Sequence, residues 1–361
     1  MMKVLSMFGT RPEMIKMCTT LKKLDALNFD HVMVHTGQNF TPELKDFFFR
    51  DLGLRDPDFY LDIDTSSYGL EVADVIRKSE EILTQVRPDA LLILGDTYSG
   101  LACMPANHYG VPVYHMEAGL RAFDVRMPEQ RNRILIDHMS QVLLPFNAYH
   151  RENLIREGIH PSKIFVTGNP TFETIRHLES GIRESAILDD LSLAAGDYVL
   201  VTAHRSENVD SPEGLEAIIS ALGIVAERFG REVIYPIHPR TRSKMAGLDL
   251  PKNVRLMNPL GFFDYNRLSM DAFCIISDSG TAPEESLFYR TPCVSLRKTT
   301  ERPETVEAGA HIVAGLDPED IAESVETVTS LPWESRYDFE EERSASTAVV
   351  NVIRSRITNY F

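Results

Sequence analysis

Cysteine is scarce in this chain: four residues in 361, Cys18, Cys103, Cys274 and Cys293, with no CxxC pair among them. That scatter excludes a disulfide scaffold and a cysteine-built zinc site, and reads as reduced thiols in a cytoplasmic protein. Long apolar runs are missing as well, and no stretch approaches the roughly 20 residues of a membrane-spanning helix. The opening MMKVLSMFGTRPE lacks a small-residue cleavage site and reads as a first buried strand rather than a signal peptide. Positive charge is in deficit, since 37 Lys and Arg against 53 Asp and Glu leave a formal net charge of −16. Such a chain repels a phosphate backbone, which argues against nucleic acid as a partner. An anionic ligand must then be met by local positive charge. Arg11, Lys16, His204, Arg205, His238, Arg240, Arg242 and Arg302 all stand near the ends of apolar runs, although any one taken singly reads as solvated surface charge.

What is present is an ordinary globular composition, 43% hydrophobic and 25% charged, over a length that suits two domains. Short apolar runs alternate with segments of helical period from end to end, the pattern of an α/β fold with parallel sheets. Strands are predicted near Lys3–Phe8, Val32–His35, Ala90–Leu94, Val111–His115 and Val142–Leu144. The pattern restarts with strands near Tyr198–Thr202, Val233–Ile237, Val254–Met257, Ala272–Ile276 and Cys293–Leu296, and helices near Pro212–Arg228, Ala282–Tyr289 and Pro318–Ser330. The expected architecture is two Rossmann-like domains whose sheets face each other across a cleft. Residues 1–177 form the first domain, 178–197 a polar linking region, and 198–340 the second. Residues 341–361 form a C-terminal helix that crosses back to the first domain.

Ligands of open α/β sheets bind beyond the carboxyl ends of the strands, so the polar residues that follow each apolar run matter most. After the first run comes Gly9-Thr10-Arg11-Pro12-Glu13: a turn, a helix start that attracts phosphate, and formal charge from Arg11 and Lys16. It lacks the repeated glycines of a dinucleotide fingerprint. Asp96, Glu117 and Glu129 follow later runs and bring three carboxylates to one edge. Each serves equally well as a helix cap or ion-pair partner, Glu129 above all because it follows Pro128. In the second half His204 and Arg205 end one strand and His238-Pro239-Arg240 the next. The segment Ser277-Asp278-Ser279-Gly280-Thr281-Ala282-Pro283-Glu284-Glu285 runs from a strand into a helix. Ser279, Gly280 and backbone N–H groups there suit a diphosphate, and Glu285 suits the hydroxyls of a ribose. A plain capping arrangement explains the same pattern.

Taken in order, GTRPE at 9–13, GDT at 95–97, EAGLR at 117–121, PEQRNR at 128–133, AHRSEN at 203–208, HPR at 238–240, SDSG at 277–280, EE at 284–285 and TERPE at 300–304 span nearly the whole chain. In these motifs the sequence resembles the non-hydrolysing UDP-N-acetylglucosamine 2-epimerase family. The resemblance implies a glycosyltransferase-B-like pair of Rossmann-like domains, a homodimer, a UDP-sugar substrate, and a reaction without nicotinamide, metal or other cofactor that serves cell-surface polysaccharide synthesis. It implies elimination of UDP across C1 and C2 to a bound 2-acetamidoglucal, then re-addition after protonation of the opposite face. Carried over by motif, Asp96, Glu117, Glu129 and His204 are the catalytic set. Arg11, Lys16, Arg133, Arg205, His238, Tyr265, Ser279, Gly280, Glu285 and Arg302 are the substrate-binding set.

The chain departs from the family pattern in places. Gly37-Gln38-Asn39-Phe40 replaces a GQH segment, SDSGT replaces TDSGG, and the loop after Arg121 reads Ala122-Phe123-Asp124-Val125-Arg126-Met127. These features, with the segment from Asn258 to Tyr265, resemble the branch that epimerises UDP-2-acetamido-2,6-dideoxy-L-talose to its L-fuco form. The first departure puts the allosteric UDP-GlcNAc site of some relatives in doubt. Three other readings share the architecture: a UDP-sugar-dependent glycosyltransferase, a hydrolysing epimerase, and a non-catalytic UDP-sugar sensor.

Overall fold

A computed structural model of the chain describes residues 1–37, 49–237, 239–245, 248–331 and 344–357. Among these residues the apolar runs form two six-stranded sheets in which the paired strands are parallel. The first comprises β1 (Met2–Phe8), β2 (Phe29–His35), β3 (Phe59–Tyr60), β4 (Ala90–Leu94), β5 (Val113–Met116) and β6 (Val142–Leu144), in the order β3-β2-β1-β4-β5-β6. The second comprises β7 (Tyr198–Thr202), β8 (Glu232–Pro236), β9 (Val254–Met257), β10 (Cys274–Ser277), β11 (Cys293–Ser295) and β12 (His311–Val313), in the order β12-β11-β10-β7-β8-β9. Both follow the doubly wound Rossmann order, in which the direction of winding reverses next to the first strand of the unit. The reversal lies between β1 and β4 in one sheet and between β7 and β10 in the other.

The central strands are buried along their length, as in Ala90–Leu94 and Tyr198–Leu200, because helices cover both faces. β3 and β12 have two and three residues, too short to leave a periodic signal, and neither was predicted from the sequence. β2 begins at Phe29, where Asp30 is exposed, so only its apolar end is visible as a run. The principal helices are α1 (Arg11–Ala26), α2 (Tyr68–Val86), α3 (Pro128–Met139), α4 (Ala148–Arg156), α5 (Pro170–His177), α6 (Pro212–Phe229), α7 (Phe262–Asp271), α8 (Ala282–Tyr289), α9 (Pro318–Ser330) and α10 (Ala345–Arg354). Four start with proline, which fits the first turn because its missing N–H would have no partner there.

The chain divides into two compact units, Met1–His177 with Glu341–Phe361, and Leu178–Glu340. In the first, Leu5, Met7, Leu91, Ile93 and Val113 meet Val75, Ile82 and Leu83 of α2. α10 packs on α1 and α5, where the Glu173 carboxylate accepts from the hydroxyls of Ser344 and Ser346 and from the Ser346 N–H. In the second unit, Ile218, Leu222 and Val225 of α6 share a core with Ile321 and Val325 of α9 and with Val199, Val201 and Ile276 of the sheet. Residues 178–197 hold two short helices, Glu179–Glu184 and Ile187–Leu191, that pack on α7.

Gly119, in the loop after β5, shows how tightly the strand ends are held. Its φ is +80°, and an added Cβ would lie 2.2 Å from the His150 carbonyl oxygen of α4 and 2.8 Å from Leu154 Cγ. Gly119→Ala is expected to destabilise the fold by about 2 kcal/mol or more, read as a lowered urea midpoint. His311 supplies a pH test. Burial, reinforced by the Arg297 charge, pushes its imidazole from the ordinary 6.5 down to about 4. The folded state therefore holds the neutral ring while the unfolded chain protonates first, so stability is full above 6.5 and falls as pH drops towards 4. His311→Gln should flatten that part of a stability-against-pH profile.

Candidate active site

In the first unit the site is built on the loops that follow β1, β4 and β5. The turn after β1 is closed by Glu13. Its Oε2 accepts from the Gly9 N–H at 3.0 Å and from the Thr10 N–H and hydroxyl at 2.8 Å each, while its Oε1 accepts from the Thr97 hydroxyl at 2.8 Å. The last bond crosses from the β1 loop to the β4 loop, over the reversal in strand order. Burial drives the Glu13 carboxyl up to about 7, against the downward pull of the Thr10, Gly9 and Thr97 hydrogen bonds. Glu13 therefore takes the N–H groups of Gly9 and Thr10, two of those that the sequence suggested for phosphate.

Glu117 follows β5 in the left-handed region, φ +63°, a costly conformation for a residue with a side chain. It is 4% exposed, and one carboxylate oxygen is ion-paired with Lys16, itself 3% exposed. Lys16 Nζ also lies 5.7 Å from the centre of the Phe146 ring. The other oxygen lies 3.4 Å from Arg133 Nη2, and the same guanidinium nitrogen pairs with Asp96 Oδ2. Asp96 and Glu117 thus share one cation. Two carboxylates, a lysine and an arginine balance in charge, which offsets much of the cost of removing each from water. Gly95, φ +74°, turns the chain out of β4, and an added Cβ there would lie 3.7 Å from Glu117 Oε1. Glu129 lies in the first turn of α3, four residues before Arg133 and so on the same helical face, and its charge helps to raise the pKa of the Tyr98 hydroxyl behind burial and Glu71. Arg11 opens α1 partly buried, and desolvation lowers its pKa.

In the second unit the organising group is Asp278, fully buried after β10. Its carboxylate accepts from the backbone N–H groups of His204 at 3.0 Å and Arg205 at 2.9 Å and from Asn208 Nδ2 at 3.1 Å, and its backbone carbonyl accepts from Arg205 Nε at 2.9 Å. These bonds tie the β10 loop to the β7 loop, again over the strand-order reversal. The His204 side chain is 60% exposed with Nδ1 3.5 Å from Asp278 Oδ1, so its ring is presented outward from a fixed backbone. Ser279 accepts the Thr281 N–H at 3.3 Å and donates its own N–H to the Ser277 hydroxyl at 3.0 Å. At Gly280 an added Cβ would lie 3.7 Å from Arg297 Nη1, which pairs with Glu301 Oε2 at 2.9 Å.

Glu285 is buried in the first turn of α8, and its charge, second to burial, raises the pKa values of the Tyr265 and Tyr289 hydroxyls. Arg302 is 2% exposed and turned to Glu284, with which it forms a buried ion pair. The sites predicted at His238 and at Gln38–Phe40 lie outside the described residues.

Three groups central to this geometry were missing from the predicted site residues. Glu13 carried a signal, because Thr10 followed by an acid three residues later is a helix-start signature. Asp278 obeys the strand-end rule that pointed to Asp96. Asp137, in the last turn of α3, accepts from Arg121 at 2.7 Å and His115 at 2.8 Å, and nothing local in the sequence announces it.

The family model described as UDP-N-acetylglucosamine 2-epimerase matches residues 22–353. The chain is 35% identical over 341 residues to the UDP-N-acetylglucosamine 2-epimerase of Methanocaldococcus jannaschii, covering 90% of this chain and 92% of that one. It is 33% identical over 337 residues to the UDP-2,3-diacetamido-2,3-dideoxy-D-glucuronate 2-epimerase of Pseudomonas aeruginosa, with coverage of 90% and 92%. Its structure is similar to the crystal structure of the Methanocaldococcus jannaschii UDP-GlcNAc 2-epimerase in complex with UDP-GlcNAc and UDP, with a TM-score of 0.91, 32% identity, and coverage of 98% of this chain and 100% of that one. The fold, the order of the loops and these matches agree: the chain belongs to the UDP-N-acetylglucosamine 2-epimerase family.

Proposed function

We propose that this chain is a non-hydrolysing 2-epimerase of a UDP-2-acetamido-2-deoxy sugar. The observation that carries the reading is the buried group at the ends of β4 and β5, where Glu117 and Asp96 share Arg133 and Lys16 pairs with Glu117. A C2 hydrogen is too weakly acidic to leave before the anomeric bond has begun to break. In the elimination, the C1–O bond breaks with its electron pair going to the UDP phosphate, a carboxylate takes the C2 proton, and a C1=C2 double bond forms. In the return, a proton is delivered to the other face of C2 and the phosphate oxygen closes on C1. No water is consumed, and the UDP freed in the elimination is taken up again in the return.

Carboxylates near C1 offset positive charge as the bond breaks, while helix starts and cations stabilise the departing diphosphate. Asp96, Glu117 and Glu129 of the first unit and His204 of the second are the groups to manage the proton and the cationic transition state. Arg11, Lys16, Arg133, Arg205, His238, Tyr265, Ser279, Gly280, Glu285 and Arg302 are assigned to the substrate, with Ser279, Gly280 and Glu285 at the UDP end. For Lys16 and Arg302 this assignment requires that substrate share or replace the buried partners Glu117 and Glu284. The protein works as a homodimer in the cytoplasm, and no described helix is long and apolar enough to cross a membrane. The substrate is UDP-GlcNAc with UDP-ManNAc, or the 6-deoxy pair of L-talo and L-fuco configuration.

In deuterated water, with no acceptor present, the protein is expected to place deuterium at C2 of one of these UDP-sugars and to invert that centre without accumulating UDP, both followed by NMR. UDP release that depends on an acceptor would favour the transferase instead, steady UDP accumulation the hydrolysing epimerase, and UDP binding without turnover the sensor. Glu117→Gln is expected to lower turnover by roughly 10²-fold or more while UDP affinity, measured by calorimetry, stays nearly unchanged. A large loss of UDP binding would refute the role given to Glu117.

A further inference from the structure

Behind the carboxylate pair lies a buried network that the reaction scheme does not use. His115 of β5, Asp137 of α3 and Arg121 have side chains with no exposed surface. Asp137 Oδ1 accepts from His115 Nδ1 at 2.8 Å, and its Oδ2 accepts from the Gly119 N–H at 3.1 Å and from Arg121 Nη2 at 2.7 Å. On its other side the His115 ring donates from Nε2 to the Gly95 carbonyl at 2.8 Å. Arg121 continues to Glu157 through Nε at 2.7 Å and Nη2 at 2.6 Å, and its Nη1 donates to the Leu120 carbonyl at 2.7 Å. The network therefore touches the residue before Asp96 and the residues on both sides of the Glu117–Ala118 turn. Both His115 nitrogens face oxygen atoms.

This arrangement answers a question that the site leaves open. Glu117 holds a left-handed backbone, φ +63°, that an unconstrained glutamate avoids. Such a conformation persists only where its surroundings over-determine it, and here the chain is pinned at His115, Gly119 and Arg121 by one carboxylate. The other end of the same network pins Gly95. We propose that Asp137 is a positioning residue for the reaction: through His115 and Gly119 it sets the spacing of the Asp96 and Glu117 carboxylates that share Arg133. It touches neither substrate nor the reacting atoms. Leucine, close to aspartate in shape, has no oxygen to accept from the three groups around the Asp137 carboxylate, and leaves the Gly119 N–H and the His115 ring without that partner.

The inference takes the epimerase reading for its kinetic test and needs no activity for its structural one. Asp137→Leu is expected to lower kcat by about 10²-fold, the scale of a 1 Å misplacement, with KM and UDP affinity little changed. Its crystal structure is expected to show Glu117 outside the left-handed region and parted from the Arg133 pair. Retention of φ near +63° and of the shared Arg133 in that variant would overturn the proposal whatever reaction the protein performs. So would a rise in KM with kcat intact. His115→Asn supplies the second variant: its amide keeps a donor where Nδ1 stood and loses the bond to Gly95. It is expected to displace the Asp96 loop and lower kcat while Glu117 keeps its backbone; an unmoved Asp96 with full kcat would also count against the proposal. A protein inactive as wild type but showing these displacements would sink the epimerase reading and leave the positioning inference standing.

Discussion

Glu117 is buried, and a carboxylate taken out of water must be met by opposite charge or hydrogen-bond donors if the fold is to tolerate it. Lys16 from α1 and Arg133 from α3 meet it from two directions, and Arg133 brings in Asp96 from the end of β4. The helix that follows β1, the loops after β4 and β5, and α3 are thereby fixed to one point. The left-handed backbone at Glu117, the glycines at 95 and 119 and the Asp137 network serve the same end, because each shapes the two loops that carry the acids.

The two units solve one geometric problem in related ways. In a doubly wound sheet the loops on either side of the strand-order reversal diverge and open a crevice. In the first unit Glu13, after β1, accepts from Thr97, after β4. In the second, Asp278, after β10, accepts from the backbone of His204 and Arg205, after β7. Both bridges are made by a buried acid that follows a strand. The direction differs: Glu13 uses one oxygen to close its own helix start, while Asp278 gives both to the opposite loop. Consequently His204 presents an exposed ring from a backbone held by Asp278, and the turn after β1 is held through the Gly9 and Thr10 backbone and the Thr10 side chain.

Much of the fold was legible in the sequence where the signal is local. Ala90–Leu94, Val142–Leu144 and Tyr198–Thr202 were bounded to the residue because a strand buried on both faces is apolar nearly throughout and stops at a turn; Val254–Met257 was bounded too, although Arg255 within it is exposed. Ala282–Tyr289 and Pro318–Ser330 were bounded as well, since proline marks the first turn. Where burial is partial, as at Phe29–His31, the signal faded, and β3 and β12 were too short to carry one. The ordered motifs likewise pointed to the family before any contact was known.

What the sequence determined by itself is the set of chemical groups at the strand ends and the order in which the chain delivers them, since turns, caps and apolar runs are read over a few neighbours. Only the tertiary structure decided the partners: Lys16 with Glu117 across 101 positions, Arg133 with Asp96 across 37, Arg302 with Glu284 across 18, and Asp137 in the last turn of α3 with His115 and Gly119. Coulomb energy and hydrogen bonding depend on distance in space and on exclusion of water, and the backbone sets both only once the sheets have formed.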